Sequence, residues 1–367
     1  MKIIISGGGT GGHVFPAIAI ANAIKACKPD AELLFVGAKG RMEMRRVPEA
    51  GYAIKGLWIS GLQRKLTFKN LLFPLRLLVS MVQARNIISE FKPDVVVGVG
   101  GYASGPTLKA ATAKGIPTAI QEQNSFPGIT NKLLAKKVSR VFTAYKGMER
   151  FFPAHKIMLT GNPIRRDTVN IEGKKEEALK FFGLEHGKTT LVVIGGSQGA
   201  WSINEAIELA LPQLTAQNIQ IIWQTGSLFK TRAAAAVLKN GTNLVKNTEF
   251  IHRMDLAYSA ADIIVSRAGA MAISELCVVG KPCVLVPYPA ASEDHQTHNA
   301  LELSNQQAAL LVKDAEVRKT LGDTLFQLLK DNALQSILAS NIKKLAMADA
   351  DRQIATEILK LGTKKPN

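Results

Sequence analysis

Residues 3–13 read IIISGGGTGGH, and residues 191–200 read LVVIGGSQGA. Each stretch is a short apolar run, then a glycine-rich turn, then a helical pattern, over 14–24 in the first case and 203–211 in the second. A strand that feeds a helix through such a turn opens a parallel α/β domain, so its occurrence twice predicts two domains. Further apolar runs alternate with helical patterns. They lie at 33–37, 95–99, 118–121, 141–143 and 157–159, then at 220–223, 249–251, 263–265, 283–286 and 309–312. This alternation predicts buried parallel strands in a doubly wound arrangement, divided into two sheets of about six rather than one of about twelve. The turn cluster Gly161-Asn162-Pro163 marks the boundary. Domains are expected at 1–163 and 164–345, with 346–367 forming a last amphipathic helix and a tail.

The 367 residues are 47% hydrophobic, enough for two ordinary cores and too many for a disordered chain or a disulfide-stapled mini-protein. Cys27, Cys277 and Cys283 form no C-x-x-C pair and are expected as small buried residues of a reducing compartment. The formal charge is +17, which calls for an anionic partner: nucleic acid, anionic lipid or a phosphorylated substrate. It is unevenly placed. Residues 1–163 carry 23 basic and 8 acidic side chains, a net of +15, whereas residues 164–367 carry 23 and 21, a net of +2. The N-terminus reads as a first strand and not as a signal peptide, and no run of about 18 apolar residues is present. Between Leu66 and Arg85, however, leucines and valines are interspersed with Lys69, Arg76 and Arg85. Such a basic, apolar helix fits a membrane interface, and equally a core helix with a few surface cations.

Loops that follow parallel strands gather at the carboxyl edge of a sheet, where ligands bind. Four glycine-rich loops belong there: 7–12, 98–101, 195–199 and 266–270. Gly7, Gly9 and Gly12 satisfy G-x-G-x-x-G, and the helix start that follows offers free N–H groups to an anion. A dinucleotide cofactor would also need an acid closing the second strand. That strand runs Phe35-Val36-Gly37-Ala38-Lys39, so no cofactor is expected. His13 sits at the start of the first helix, where the dipole disfavours the imidazolium and leaves an imidazole able to take a proton. Ser197 and Gln198 suit a phosphate or ribose. Glu275 is placed to accept two sugar hydroxyls, or simply to stabilise its own helix start. Glu122-Gln123-Asn124 forms a polar loop at the same edge. His295 and His298 lack a third ligand fixed by sequence, and Asp349-Ala350-Asp351 lies in a charged helix rather than after a strand, so no metal site is expected.

Taken in order, GGGTGGHVFP (7–16), GGYASGP (100–106), EQN (122–124), GNPIR (161–165), GGSQGA (195–200), SRAGAMAISEL (266–276) and DHQTHNA (294–300) resemble the bacterial lipid II-forming N-acetylglucosaminyltransferases over essentially the whole chain. The resemblance implies a GT-B fold, α/β with two Rossmann-like doubly wound domains separated by a cleft, the last helix packing back on the first domain. It implies UDP-GlcNAc as donor, held chiefly by the second domain and contacted by Asn124, Arg165, Ser197, Ile251, Ala270, Met271, Ala272, Ile273, Ser274, Glu275 and Gln296, of which Asn124 belongs to the first domain. Thr10, Gly11 and Gly12 line the site near the transferred sugar. Gly9, Gly100, Gly101 and Tyr102 face the acceptor, lipid I (undecaprenyl-pyrophosphoryl-MurNAc-pentapeptide). It further implies a peripheral enzyme of peptidoglycan synthesis on the cytoplasmic side of the cell membrane.

The expected reaction is a single inverting displacement at the anomeric carbon by the C4 hydroxyl of the MurNAc sugar. His13 is the first candidate base and Glu122 the second. Helix N-termini, Ser197 and Arg165 take up the charge on departing UDP, and activity in excess EDTA is expected. Three rival readings are weighed. A diacylglycerol galactosyltransferase shares the architecture and the membrane surface. A UDP-GlcNAc epimerase needs no lipid surface and so leaves the 66–85 segment unexplained. A nucleic-acid-binding protein fits the charge, but only 6% of residues are aromatic and no stacking pattern is present, so nucleic acid is not expected as a partner.

Overall fold

The structure, a computed structural model, describes residues 1–61, 72–196, 198–240 and 243–363. The chain forms two compact units, Met1–Ile164 with Ala348–Asn367, and Arg165–Met347.

In the first unit β1 (Lys2–Ser6) feeds α1 (Gly11–Cys27), β2 (Glu32–Ala38) feeds α2 (Glu43–Glu49), and β3 (Ala53–Leu57) comes before α3 (Phe73–Phe91). Next come β4 (Val95–Gly98), α4 (Ser104–Thr112), β5 (Thr118–Glu122), α5 (Ile129–Ala135), β6 (Arg140–Thr143) and β7 (Ile157–Leu159). The strands make one parallel sheet in the order β3-β2-β1-β4-β5-β6-β7. Side chains alternate through it. Ile4, Val96 and Ile120 pack on one face with Ala84 and Ile88 of α3 and Leu108 of α4. Ile3, Ile5, Val95 and Val97 pack on the other with Val14, Ile20 and Ile24 of α1. Both faces are covered, which is why these strands read as unbroken apolar runs.

The second unit runs α6 (Arg166–Val169), α7 (Lys175–Phe182), β8 (Thr190–Ile194), α8 (Trp201–Ala216), β9 (Gln220–Gln224), α9 (Lys230–Lys239), β10 (Val245–Thr248), α10 (Met254–Ala260), β11 (Ile263–Ser266), α11 (Ala270–Val279), β12 (Cys283–Leu285), α12 (His295–Ser304), β13 (Leu310–Leu311), α13 (Val317–Lys330) and α14 (Asn332–Lys344). Its parallel sheet has the order β10-β9-β8-β11-β12-β13. Leu191, Val193, Ile221 and Trp223 meet Ile207 and Leu211 of α8 and Leu321 and Leu325 of α13. The last helix, α15 (Ala350–Thr363), belongs to the first unit. Its Ile354, Ala355 and Ile358 are fully buried in the α1 face of that sheet, and Glu357 pairs with Arg140 at 3.0 Å.

The structure departs from the sequence reading in three places. β3 was not expected, because its sequence AIKGL is an edge strand with a lysine and a glycine and no apolar run. The strand expected at 249–251 lies instead at Val245–Thr248, another polar edge strand, and 249–253 is the loop after it. Cys277 and Cys283 are buried, and burial pushes the Cys277 thiol up to about 12, but Cys27 is exposed as the last residue of α1.

Candidate functional site

In both sheets the strand order reverses beside the first strand, at β1/β4 in one unit and β8/β11 in the other. The crevice at such a reversal is where doubly wound sheets take their ligands. The four glycine loops follow these four strands.

In the first unit the loops after β1 and β4 interleave. A Cβ on Gly7 would lie 2.2 Å from Val99, and one on Gly101 would lie 2.3 Å from the Gly8 carbonyl. Gly8, Gly9, Gly100 and Gly101 all have positive φ, conformations that favour glycine. Ser104 Oγ lies 2.7 Å from the Ser6 carbonyl and 2.9 Å from that of Gly100, joining the two strand ends. Gly11, Gly12 and His13 are the first residues of α1, so the loop is shorter than the motif and its last glycines are the helix N-terminus. His13 Nδ1 is 3.2 Å from the Gly8 carbonyl and 3.4 Å from Thr10 Oγ1. A carbonyl only accepts, so Nδ1 carries a proton in this contact, and in the neutral ring the lone pair is then on Nε2. The ring edge lies against Gly100, where a Cβ would be 2.8 Å from Cδ2 and Nε2. Tyr102 is exposed beside this loop, its ring filling the space over Gly61.

Glu122, the second candidate base, is buried at the end of β5. Oε1 accepts from the Asn124 amide at 3.0 Å and the Asn124 side chain at 3.2 Å; Oε2 accepts from Gly128 N at 3.2 Å and Asn131 Nδ2 at 2.9 Å. Burial raises its carboxyl despite these donors. Four donors use the lone pairs a base needs, so the geometry suits a carboxylate that shapes the Gln123–Gly128 loop and presents Asn124. Gln123 and Asn162 extend the network, Gln123 Nε2 to the Val99 carbonyl at 2.9 Å and Asn162 Nδ2 to the Gln123 carbonyl at 3.1 Å.

In the second unit the loops after β8 and β9 lock together. A Cβ on Gly199 would lie 2.2 Å from the Thr225 carbonyl, and one on Gly226 2.2 Å from that of Gln198. Ser197 lies outside the described residues. α11 begins at Ala270 after Gly269 in extended conformation, with no acid in its first turn, so the amides of Ala270, Met271 and Ala272 carry the positive end of the helix. Ile273 is buried in the core, whereas Ser274 and Glu275 are only partly buried. Glu275 Oε2 accepts from the buried Tyr258 hydroxyl at 3.0 Å. Thr168 donates to the Arg165 carbonyl at 2.8 Å and stands 3.5 Å from Glu275 Oε1, so this oxygen keeps its acceptor capacity. Burial raises the Glu275 carboxyl while the Arg165 charge opposes it, and burial with the Glu275 charge lifts the Tyr258 phenol well above its usual value. Ile251 is buried in the loop after β10, at the ligand edge rather than in a strand. Gln296, on α12, accepts from the Tyr288 amide at 2.9 Å, which leaves its NH2 as donor.

Two features escaped the sequence reading. One is Arg267, whose guanidinium binds the Val286 carbonyl at 3.2 Å, the Pro287 carbonyl at 3.1 Å, Ser202 Oγ at 3.0 Å and Asp314. It thereby ties the loop after β11 to those after β12 and β13 and to α8. The other is Glu43, 1% exposed on α2, which accepts from Gly9 N and Ala38 N at 2.9 Å each. Its only trace in the sequence is an acid five residues beyond Ala38, with nothing to show that the helix folds back.

Residues 66–71 of the expected membrane segment lie outside the described residues. Leu75, Leu78 and Val82 expose one stripe of α3, continued by Leu72 just before the helix, with Leu78 exposed by 66%, while Ala84, Ile87 and Ile88 are buried toward its far end. No helix among the described residues is long and apolar enough to cross a membrane, and no group of three metal-ligating side chains is present among them.

Comparison with known proteins places these features. The glycosyltransferase family 28 N-terminal domain matches residues 3–143, and the family 28 C-terminal domain matches residues 190–354. The UDP-N-acetylglucosamine--N-acetylmuramyl-(pentapeptide) pyrophosphoryl-undecaprenol N-acetylglucosamine transferase of Cytophaga hutchinsonii is 53% identical over 98% of this chain and 96% of its own. The crystal structure of Acinetobacter baumannii MurG is 29% identical with a TM-score of 0.81, covering 98% of this chain and 99% of that one. A UDP-GlcNAc 2-epimerase from Neisseria meningitidis shares the fold at 14% identity, with a TM-score of 0.68 over 98% of this chain and 100% of its own. With both domain models matched over most of its length, the chain belongs to glycosyltransferase family 28.

Proposed function

We propose that the protein transfers N-acetylglucosamine from UDP-GlcNAc to the C4 hydroxyl of the MurNAc sugar of undecaprenyl-pyrophosphoryl-MurNAc-pentapeptide (lipid I), giving lipid II for peptidoglycan synthesis. The observation that carries this reading is the 53% identity to a transferase of that name over 98% of the chain. The loops that would serve the reaction stand at the ligand edges of the two sheets.

The second unit holds the donor. The α11 amides, Ser197 and Arg165 take the diphosphate, Glu275 the ribose, Ile251 the uracil side and Gln296 the sugar, and Asn124 of the first unit also serves the sugar. The first unit receives the acceptor through Gly9, Gly100, Gly101 and Tyr102, with Thr10, Gly11 and Gly12 beside the transferred sugar. The C4 oxygen attacks the anomeric carbon as the bond from that carbon to the phosphate oxygen breaks. UDP leaves with the bonding electrons, the configuration inverts, and the hydroxyl proton passes to His13 Nε2. The helix N-terminus and Arg165 stabilise the charge growing on UDP. The +15 half and the exposed α3 stripe hold the enzyme peripherally on the cytoplasmic face of the membrane, where the acceptor's lipid lies.

The test is transfer of labelled GlcNAc from UDP-GlcNAc to a lipid I analogue, with diacylglycerol as competing acceptor. Transfer to lipid I with inverted stereochemistry is expected, and transfer to diacylglycerol alone would refute the assignment. His13→Ala should lower kcat by about 10²–10⁴-fold with UDP affinity unchanged, and wild-type turnover would remove His13 as the base.

A further inference from the structure

We propose that Glu43 is a positioning residue for His13: its carboxylate fixes the glycine loop whose Gly8 carbonyl sets the imidazole tautomer. The inference rests on the reading of His13 as the base.

A carboxyl group that is 1% exposed has no water to bond and needs donors from the protein itself. Here two backbone amides supply them, one per oxygen: Gly9 N on Oε2 and Ala38 N on Oε1, each at 2.9 Å. Two glycines make the room. A Cβ on Gly8 would lie 2.2 Å from Glu43 Cδ, and one on Gly37 would lie 2.5 Å from Cγ. The side chain thus joins the end of β2 to the loop after β1.

That loop needs an anchor. Gly8 and Gly9 have φ of +144° and +94° and lie beyond the sheet ladder. With the Gly9 amide bound to Glu43, the Gly8–Gly9 peptide plane is set, because its N–H and its C=O belong to one rigid unit. The C=O of that plane is the oxygen 3.2 Å from His13 Nδ1. Glu43 therefore acts on His13 through a single peptide group, holding the proton on Nδ1 and the lone pair on Nε2.

Glu43→Gln is the discriminating variant. It keeps the size of the side chain but offers one acceptor oxygen for two amides, so an NH2 group faces one of them. The loop relaxes by rotating the peptide, and the preference for the Nδ1–H tautomer falls. Nitrogen-15 NMR of the full-length protein labelled at histidine reads this directly, with the His13 signal identified by its loss in His13→Ala. Wild type is expected to show Nδ1 protonated and Nε2 unprotonated. Glu43→Gln is expected to show a mixed tautomer, with kcat reduced about 10–100-fold and the KM for UDP-GlcNAc changed less than about twofold. Should Glu43→Gln fail to fold, Glu43→Asp, which keeps both oxygens on a shorter arm, is read in the same way. A His13 tautomer unchanged in the folded variant overturns the proposal whatever happens to kcat. A shifted tautomer with full kcat leaves the positioning intact and refutes His13 as the base.

Discussion

A single methyl group at Gly100 probes whether the interleaved loops hold His13 in a productive place. A Cβ there would stand 2.8 Å from His13 Cδ2 and Nε2, and an ordinary contact is 3.4–4 Å, so the ring must retreat by roughly 0.6–1.2 Å. The Gly100 φ of +92° adds strain of about 1–2 kcal/mol for any L side chain. A misplacement near 1 Å at a reacting group lowers turnover by about 10²-fold, close to 2.7 kcal/mol in the activation barrier. The strain acts on folding instead, lowering the unfolding temperature of a unit this size by about 2–8 °C. Gly100→Ala should therefore remain folded, bind UDP like the wild type because the donor loops lie in the other unit, and lose about two orders of magnitude in kcat. Steady-state kinetics with a lipid I analogue, calorimetric titration with UDP and a thermal melt measure the three quantities. A folded Gly100→Ala enzyme with wild-type kcat would refute the reasoning, since the ring would have moved without consequence or the loops would be too soft to hold it.

Other perturbations address other parts of the molecule. Replacing Leu78 and Val82 by Glu removes apolar surface worth about 1–2 kcal/mol each at an interface and adds charge repelled by anionic lipid, so binding to vesicles containing anionic lipid should fall by at least about 100-fold. Turnover of a short-chain soluble acceptor should be unaffected, and unchanged sedimentation with vesicles would remove the stripe from membrane binding. The bonds from Arg253, and secondarily Lys174, hold the Asp255 carboxyl well below the usual carboxylate range. A depressed folded pKa contributes stability that is complete above the unfolded value near ~3.9 and is lost as pH falls through the folded one. Asp255→Asn should thus melt lower than wild type at pH 7, with a gap that stays constant down to about pH 4 and closes below it. A gap independent of pH would mean that charge is not the source.

Much of this site is legible one residue at a time. The runs III, VVVG and LVVI announce strands because both faces of β1, β4 and β8 are buried, and the glycines after them announce turns that only glycine tolerates. Two edge strands were missed or misplaced for the opposite reason. β3 and β10 each have one neighbour and little burial, so AIKGL and VKNT carry no apolar pattern. Ile251, read by periodicity as part of a strand, lies in the loop after β10. The basic, apolar segment at 66–85 was ambiguous for a third reason, since an apolar stripe reads the same whether a core or a lipid surface will cover it. In the structure Leu75, Leu78 and Val82 of that segment are exposed.

The sequence by itself determined the two doubly wound domains, the position of each glycine loop and the basic character of the first half, because these follow from local periodicity, composition and backbone freedom. Only the tertiary structure decided which carboxylates serve the loops and which remain open to a ligand. Glu122 meets four donors, Glu275 keeps an oxygen with acceptor capacity, and Glu43, which carries no motif, closes on Gly9 and Ala38. All three are glutamates near a strand end or a helix start. What separates them is which backbone amides the folded chain brings within about 3 Å, a distance fixed by long-range packing rather than by any spacing along the chain.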